Sequence, residues 1–386
     1  MRRSLKFIPW ILPFLGILLG YGYAYVFFHG LLETWQFVGK PDENIARIIG
    51  IRERTFNLQP STSLATCQMF IKLLQSYWPR KMIPRWSHMK IIAESFAGVA
   101  TLGTRLVEMY SPEEKRLFED QFALKLLPFG WRVFFRLAYL PGLRSLLLSL
   151  RERRMPGTLG AILCRTRYID DVLRKSLQEG LDQLVILGAG FDTRAYRVAG
   201  MDRVRVFEVD LPGTCRLKQI RLKKVLGVVP DNVTLVGMDF EKQKLEDVLK
   251  AAGFQTGRRT LFIWEGVTQY LTAGAVNDTL EFVSSVSGVG SAIEFTYVRR
   301  GIIDGTSRPE WFKGFSSFAA RVGSPLKFGL DPVELEGYLA DRGLKLISDV
   351  GAADYQDLYL EPLGRELNVF DAERVAFARV NGSRRD

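Results

Sequence analysis

The stretch QLVILGAGFDTRAYR, Gln183 to Arg197, decides how this chain is read. Gln183–Leu187 has the length and the Val/Ile/Leu content of a buried strand. It runs into Gly188-Ala189-Gly190, where two glycines let the backbone turn sharply and come close to a ligand. The residues after the turn read as a helix start, which offers free N–H groups. Downstream, Val204–Val209, Val233–Gly237, Thr260–Trp264 and Ala292–Tyr297 read as further strands. Helical segments Pro212–Leu226, Glu241–Ala252 and Ala273–Ser287 lie between them. This alternation predicts an α/β domain, a mostly parallel sheet with helices on both faces. Arg299–Gly329 reads as an irregular insertion carrying Trp311, Phe312, Phe315 and Phe318. Asp331-Pro332 opens a helix to Arg342, and Leu344–Val350 and Arg374–Val380 bring the count to seven strands, the last two antiparallel at one edge.

A lone Gly-x-Gly is a weak signal, and its surroundings give it weight. Glu208 and Asp210, in FEVD, lie 20 residues after Gly188 and Gly190 respectively. A carboxylate at the end of the second strand accepts the hydroxyls of a ribose. Thr193 stands where a dinucleotide fingerprint has its third glycine, which disfavours the close pyrophosphate approach of NAD or FAD. S-adenosyl-L-methionine, a nucleoside without phosphate, is the better fit. Asp239, ending the third strand, is placed either to accept from the adenine amino group or to cap a helix, and Phe240 to pack on the adenine ring. Glu265, in WEGVTQYL, points into the crevice at the carboxyl ends of the strands.

RTRYIDD (165–171), VILGAGFDTRAYR (185–197), FEVD (207–210) and WEGVTQYL (264–271) together resemble the leucine carboxyl methyltransferase family of S-adenosyl-L-methionine-dependent O-methyltransferases, which includes polyketide-type bacterial members. The resemblance is good over roughly 160–300 and weak back to about 60. It implies a Rossmann-like class I methyltransferase fold. It also implies that Arg165 pairs with the methionine carboxylate of the cofactor, with Arg167 as the alternative. Gly188 and Gly190 would lie under the cofactor, Asp210 on the ribose, Asp239 and Phe240 at the adenine, and Glu265 near the methionine end. Asp192 and Arg194 would hold the turn by an ion pair. No catalytic residue or metal ligand is assigned; Tyr270, Tyr297 and Glu265 are the candidates should the acceptor need a general base.

The chain of 386 residues divides into a membrane anchor (1–35), a basic, mainly helical region (36–160) and the methyltransferase domain (161–386). Phe7–Leu32 holds 26 residues without Asp, Glu, Lys or Arg, long enough to cross a bilayer as a helix, with Trp10 near one end and Tyr21, Tyr23, Tyr25 and Trp35 at the other. Ser61-Thr62-Ser63 and Ser111-Pro112 read as helix starts. Leu126–Arg154 reads either as an amphipathic helix pair lying on lipid or as a helical cap over the active site. The first 160 residues hold 22 Lys and Arg against 11 Asp and Glu, and the remainder holds 31 of each. The net charge of +11 therefore sits upstream and favours an anionic lipid surface over nucleic acid, for which no module is present. Arg2, Arg3 and Lys6 favour a cytoplasmic N-terminus. A cytosolic cofactor and the basic region favour a catalytic domain facing the cytoplasm, and that is the expectation adopted.

Three scattered cysteines, Cys67, Cys164 and Cys215, form no disulfide or metal pattern. With only His29 and His88, histidine-based zinc sites and Ser-His-Asp catalysis are close to excluded. The leading expectation is an O-methyltransferase acting on a carboxylate or hydroxyl of a small lipophilic acceptor. The alternative is a non-catalytic membrane-anchored binding protein that keeps the fold; a nicotinamide-dependent oxidoreductase is a third, disfavoured by Thr193.

Overall fold

The computed structural model describes residues 101–381, apart from 128, 139, 141, 322 and 323. The strands are β1 (Gln183–Leu187), β2 (Arg205–Asp210), β3 (Val233–Gly237), β4 (Thr260–Trp264), β5 (Ala292–Val298), β6 (Leu344–Val350) and β7 (Glu373–Val380). They form one sheet in the order β3-β2-β1-β4-β5-β7-β6. β1 to β5 are parallel, and β7 enters antiparallel between β5 and β6. Because β1 pairs with both β2 and β4, the winding reverses there, which opens a crevice at the carboxyl ends of those strands.

Alternation along each strand builds two cores. Leu184 and Ile186 of β1, with Leu261 and Ile263 of β4, face one side together with Leu163, Ile169 and Leu173 of a long helix, Thr158–Gln178. Val185, Leu187, Phe262 and Trp264 face the other, against the helices Leu245–Ala251, Ala273–Val286 and Leu335–Ala340. Upstream residues join the same body: Leu102, Leu106, Phe122 and Leu126 pack with Phe191 after β1 and Leu222 of the helix Pro212–Leu226.

Several sequence expectations need correction. The insertion after β5 is not irregular but holds two helices, Arg300–Asp304 and Glu310–Arg321. The aromatic positions 311, 312, 315 and 318 already follow a helical period. Trp311 and Phe312 gather on Phe370, with Trp311 and Phe370 ring centres 4.8 Å apart. Ser111-Pro112 starts only a short turn, Glu113–Lys115, because the Leu117 N–H is taken by the Glu108 carboxylate at 2.5 Å. The helix expected from Glu241 begins at Leu245, since the Asp239 side chain accepts from the Glu241 N–H and diverts the backbone. Leu126–Arg154 does contain a helix pair, Phe129–Ala138 and Leu143–Arg154. The expected transmembrane helix over Phe7–Leu32 and the Ser61 helix start lie outside the described residues. Among the described residues, no helix is long and apolar enough to cross a membrane.

Candidate functional site

The glycine turn is fastened to the next strand. The N–H groups of Gly188 and Ala189 both donate to the Val209 carbonyl, at 2.8 and 3.0 Å. Gly188 has φ +68°, and a Cβ there would lie 2.3 Å from Cγ2 of Val267, in the loop leaving β4. Only glycine suits that backbone and that contact. Gly190 donates its N–H to Oδ2 of Asp210 at 2.6 Å, while Leu211 N–H takes Oδ1 at 2.7 Å. The turn and the acid at the end of β2 are therefore one unit. Burial raises the Asp210 pKa, with the two backbone donors pulling the other way.

Glu208, its neighbour on the same face, is not available to a ribose. It is fully buried, with Lys218 Nζ at 2.8 Å and the Tyr196 hydroxyl donating to it at 3.0 Å. Asp239 lies two residues beyond Gly237, the register partner of Asp210. Its carboxylate accepts from the Glu241 N–H at 3.2 Å and pairs with Lys242 at 2.8 Å. Phe240 packs against the core that includes Phe262 and Trp264.

Beside the turn lies a buried ionic network. Arg194, with no exposed surface, binds Asp170 Oδ1 at 2.8 Å, Glu265 Oε2 at 2.7 Å and the Asp192 carboxylate. The expected Asp192–Arg194 pair is therefore present within a larger web. Arg197 closes on Asp170 through two nitrogens, at 2.6 and 2.7 Å. Arg165 binds Glu265 Oε1 at 2.8 Å and also the carboxylate of Glu373. Desolvation opposes ionisation of Glu265, but Arg194 and Arg165 bring its pKa down to about 2. The motifs RTRYIDD, DTRAYR and WEG thus meet in space.

Arg167 is no substitute for Arg165. Two positions along a helix face away from each other, and Arg167 is held by Asp171 at 2.8 Å and by the Leu117 carbonyl at 2.7 Å. Thr193, in the place of the missing glycine, is buried and donates to Asp120 Oδ2 at 2.8 Å, latching the turn to the upstream segment.

The general-base candidates do not fit that role. Tyr297 is buried on the opposite face and donates to Asp349 at 3.0 Å. Burial raises the Tyr270 pKa further from neutrality. Glu265, near 2, is a weak base.

Two acids were missed by sequence reading. Glu373 opens β7 and reaches Arg165; nothing in ERVAFARV marks it. Glu294 of β5 is fully buried, with neither carboxylate oxygen hydrogen-bonded. Burial pushes its pKa well above the ordinary value of 4.5, with Arg194 opposing. A carboxyl whose folded pKa is raised stabilises the fold fully below its unfolded value and loses that contribution as pH rises toward the folded one. We therefore expect Glu294→Gln to match the wild type near pH 4.5 and to gain about 1–3 kcal/mol by pH 7.5. Urea unfolding at the two pH values measures this; a gain that does not grow with pH refutes the assignment.

The strand order, with β7 threaded antiparallel beside β5 and the crevice at the β1/β4 reversal, defines a Rossmann-like class I methyltransferase fold. Residues 99–284 match the family model of leucine carboxyl methyltransferase. YktD of Bacillus subtilis (strain 168), named "Putative S-adenosyl-L-methionine-dependent methyltransferase", is 31% identical over 54% of this chain and 69% of its own. A protein of the same description from Frankia alni is 32% identical over 52% of this chain and 68% of its own. A solved structure of a protein from Thermobifida fusca YX, described as "a putative methyltransferase", shares 14% identity, with a TM-score of 0.43 over 62% of this chain and 89% of that one; so distant a likeness adds nothing to the assignment. The chain belongs to the leucine carboxyl methyltransferase family and is an S-adenosyl-L-methionine-dependent methyltransferase.

Proposed function

We propose that this enzyme transfers the methyl group to an oxygen of a small lipophilic acceptor, a carboxylate by preference over a hydroxyl. The observation that carries the reading is that both oxygens of Glu265 are taken, Oε1 by Arg165 at 2.8 Å and Oε2 by Arg194 at 2.7 Å. Glu265 is held near 2 by two arginines and Tyr270 is shifted upward, so an acceptor that arrives already ionised suits the site. A lipophilic body is supported by the aromatic group Trp311, Phe312 and Phe370. Beside it is a cleft of about 230 Å³ lined by Arg299, Ile302, Ser307, Phe370 and Asp371, beyond the ends of β5 and β7.

The residues present fit the cofactor. Gly188 leaves no room for a side chain, Asp210 is partly exposed at the strand end, and Arg165 is charged and nearly buried. In this reading Gly188 and Gly190 lie under the nucleoside, Asp210 holds the ribose, and Asp239 and Phe240 border the adenine. Arg165 and Glu265 serve the methionine part. When bound, the cofactor supplies an electrophilic sulfonium methyl. The protein's share is to orient the acceptor oxygen in line with that methyl and to keep water out.

The charge-free run Phe7–Leu32 and the basic excess before residue 160 support a membrane location with the catalytic domain facing the cytoplasm. The test is a tritiated-methyl assay on membranes containing the full chain, followed by mild base. Label released as volatile methanol indicates a methyl ester. Base-stable label on nitrogen or carbon overturns the oxygen assignment, and release of the full chain by carbonate overturns the anchor.

A further inference from the structure

We propose that Glu373 is a positioning residue for the cofactor's amino-acid part. It clamps one edge of Arg165 while Glu265 clamps the other, leaving Nη2 as the donor for the methionine carboxylate. The inference rests on the methyltransferase assignment and on Arg165 serving that carboxylate.

The geometry is specific. Arg165 is 8% exposed, and its Nε and Nη1 are committed to Glu265 and Glu373. Nη2 lies 4.0 Å from where a Cβ on Gly266 would sit, beneath the turn that follows β4. A guanidinium presents its donors in a rigid plane, so fixing two of its nitrogens fixes the direction of the third. Glu265 alone cannot do this, because its other oxygen serves Arg194.

Glu373 reaches the crevice because of strand direction. β7 runs antiparallel to β5, so its first residue pairs with Val298, the last of β5. Every parallel strand presents its carboxyl end to the crevice; β7 alone presents its amino end from that side of the sheet. The second oxygen of Glu373, Oε1, is buried without a hydrogen-bond partner. An unpaired buried carboxylate oxygen is costly, and a donor-bearing ligand such as the α-ammonium of the same amino-acid part would relieve it.

The test compares two ligands that differ only in this part. S-adenosylhomocysteine carries the amino acid, and 5′-deoxy-5′-methylthioadenosine lacks it. Calorimetry on the full chain is expected to show that Glu373→Ala weakens S-adenosylhomocysteine by about tenfold or more. Methylthioadenosine should change by less than about twofold, the range left to contacts that are untouched. Glu373→Gln, which keeps a hydrogen-bond acceptor for Arg165, should recover part of the loss, and it carries the same comparison if the alanine variant does not fold. Equal losses for both ligands, or no loss for S-adenosylhomocysteine, overturn the proposal. A wild-type protein that binds neither ligand overturns the cofactor reading instead.

Discussion

Replacing Arg194 with methionine is expected to cost the folded domain about 3–5 kcal/mol, the range for breaking a buried ion pair by removing one partner. The guanidinium has no exposed surface and is the shared partner of Asp170, Asp192 and Glu265. Without it, Asp192 loses the strongest of the positive charges that hold its pKa far below the ordinary value against burial. Asp170 keeps Arg197, and Glu265 keeps Arg165, so the loss falls most heavily on Asp192 and the turn that carries it. Lysine should not rescue, since one ammonium cannot reproduce the planar fork that meets three carboxylates. Urea unfolding near pH 7 measures the effect, and a cost below about 1 kcal/mol, the level of an exposed pair, would show that the network is not a keystone of the fold.

The second large effect concerns the ligand. Asp210→Ala is expected to weaken S-adenosylhomocysteine about a hundredfold, because in the proposed reading Asp210 makes two charge-assisted hydrogen bonds to ribose hydroxyls, on the order of 3 kcal/mol. The same substitution frees the Gly190 N–H, which Asp210 now holds at 2.6 Å, so part of the loss comes from a slackened turn. Asp210→Asn, which retains one acceptor oxygen, should fall between. Glu208 gives the contrast: Glu208→Gln should leave affinity within about threefold while lowering stability, because it is bound to Lys218 inside the protein. Should Glu208→Gln abolish binding and Asp210→Ala spare it, the assignment of the ribose partner would be reversed.

The physical reasons for success and failure in reading the sequence are visible in these residues. β1, β3, β4 and β6 run where the apolar runs predict, and the helix Pro212–Leu226 has its expected bounds, because local pattern and burial agree. That Gly188 opens a tight turn after β1 and that Asp210 ends β2 was legible from the local pattern. Thr193 pointed correctly away from a dinucleotide, but its structural role, a hydrogen bond to Asp120, 73 residues upstream, is one that no local pattern records. Glu294 and Glu373 escaped for the same reason. Each looks like an ordinary strand acid until the sheet order places it, and only the antiparallel entry of β7 brings Glu373 to Arg165.

That last strand also sets an order of assembly. Until residues 373–380 leave the ribosome, β5 has a neighbour on only one side, and its AIEFTYV segment offers an open row of backbone groups. Such a segment, rich in β-branched and aromatic residues, invites pairing with other chains. The antiparallel pairing that covers this edge of β5 and the ion pair between Glu373 and Arg165 therefore both come from the last strand to be synthesised. A chain cut short of Glu373 would leave that edge of β5 open to other chains.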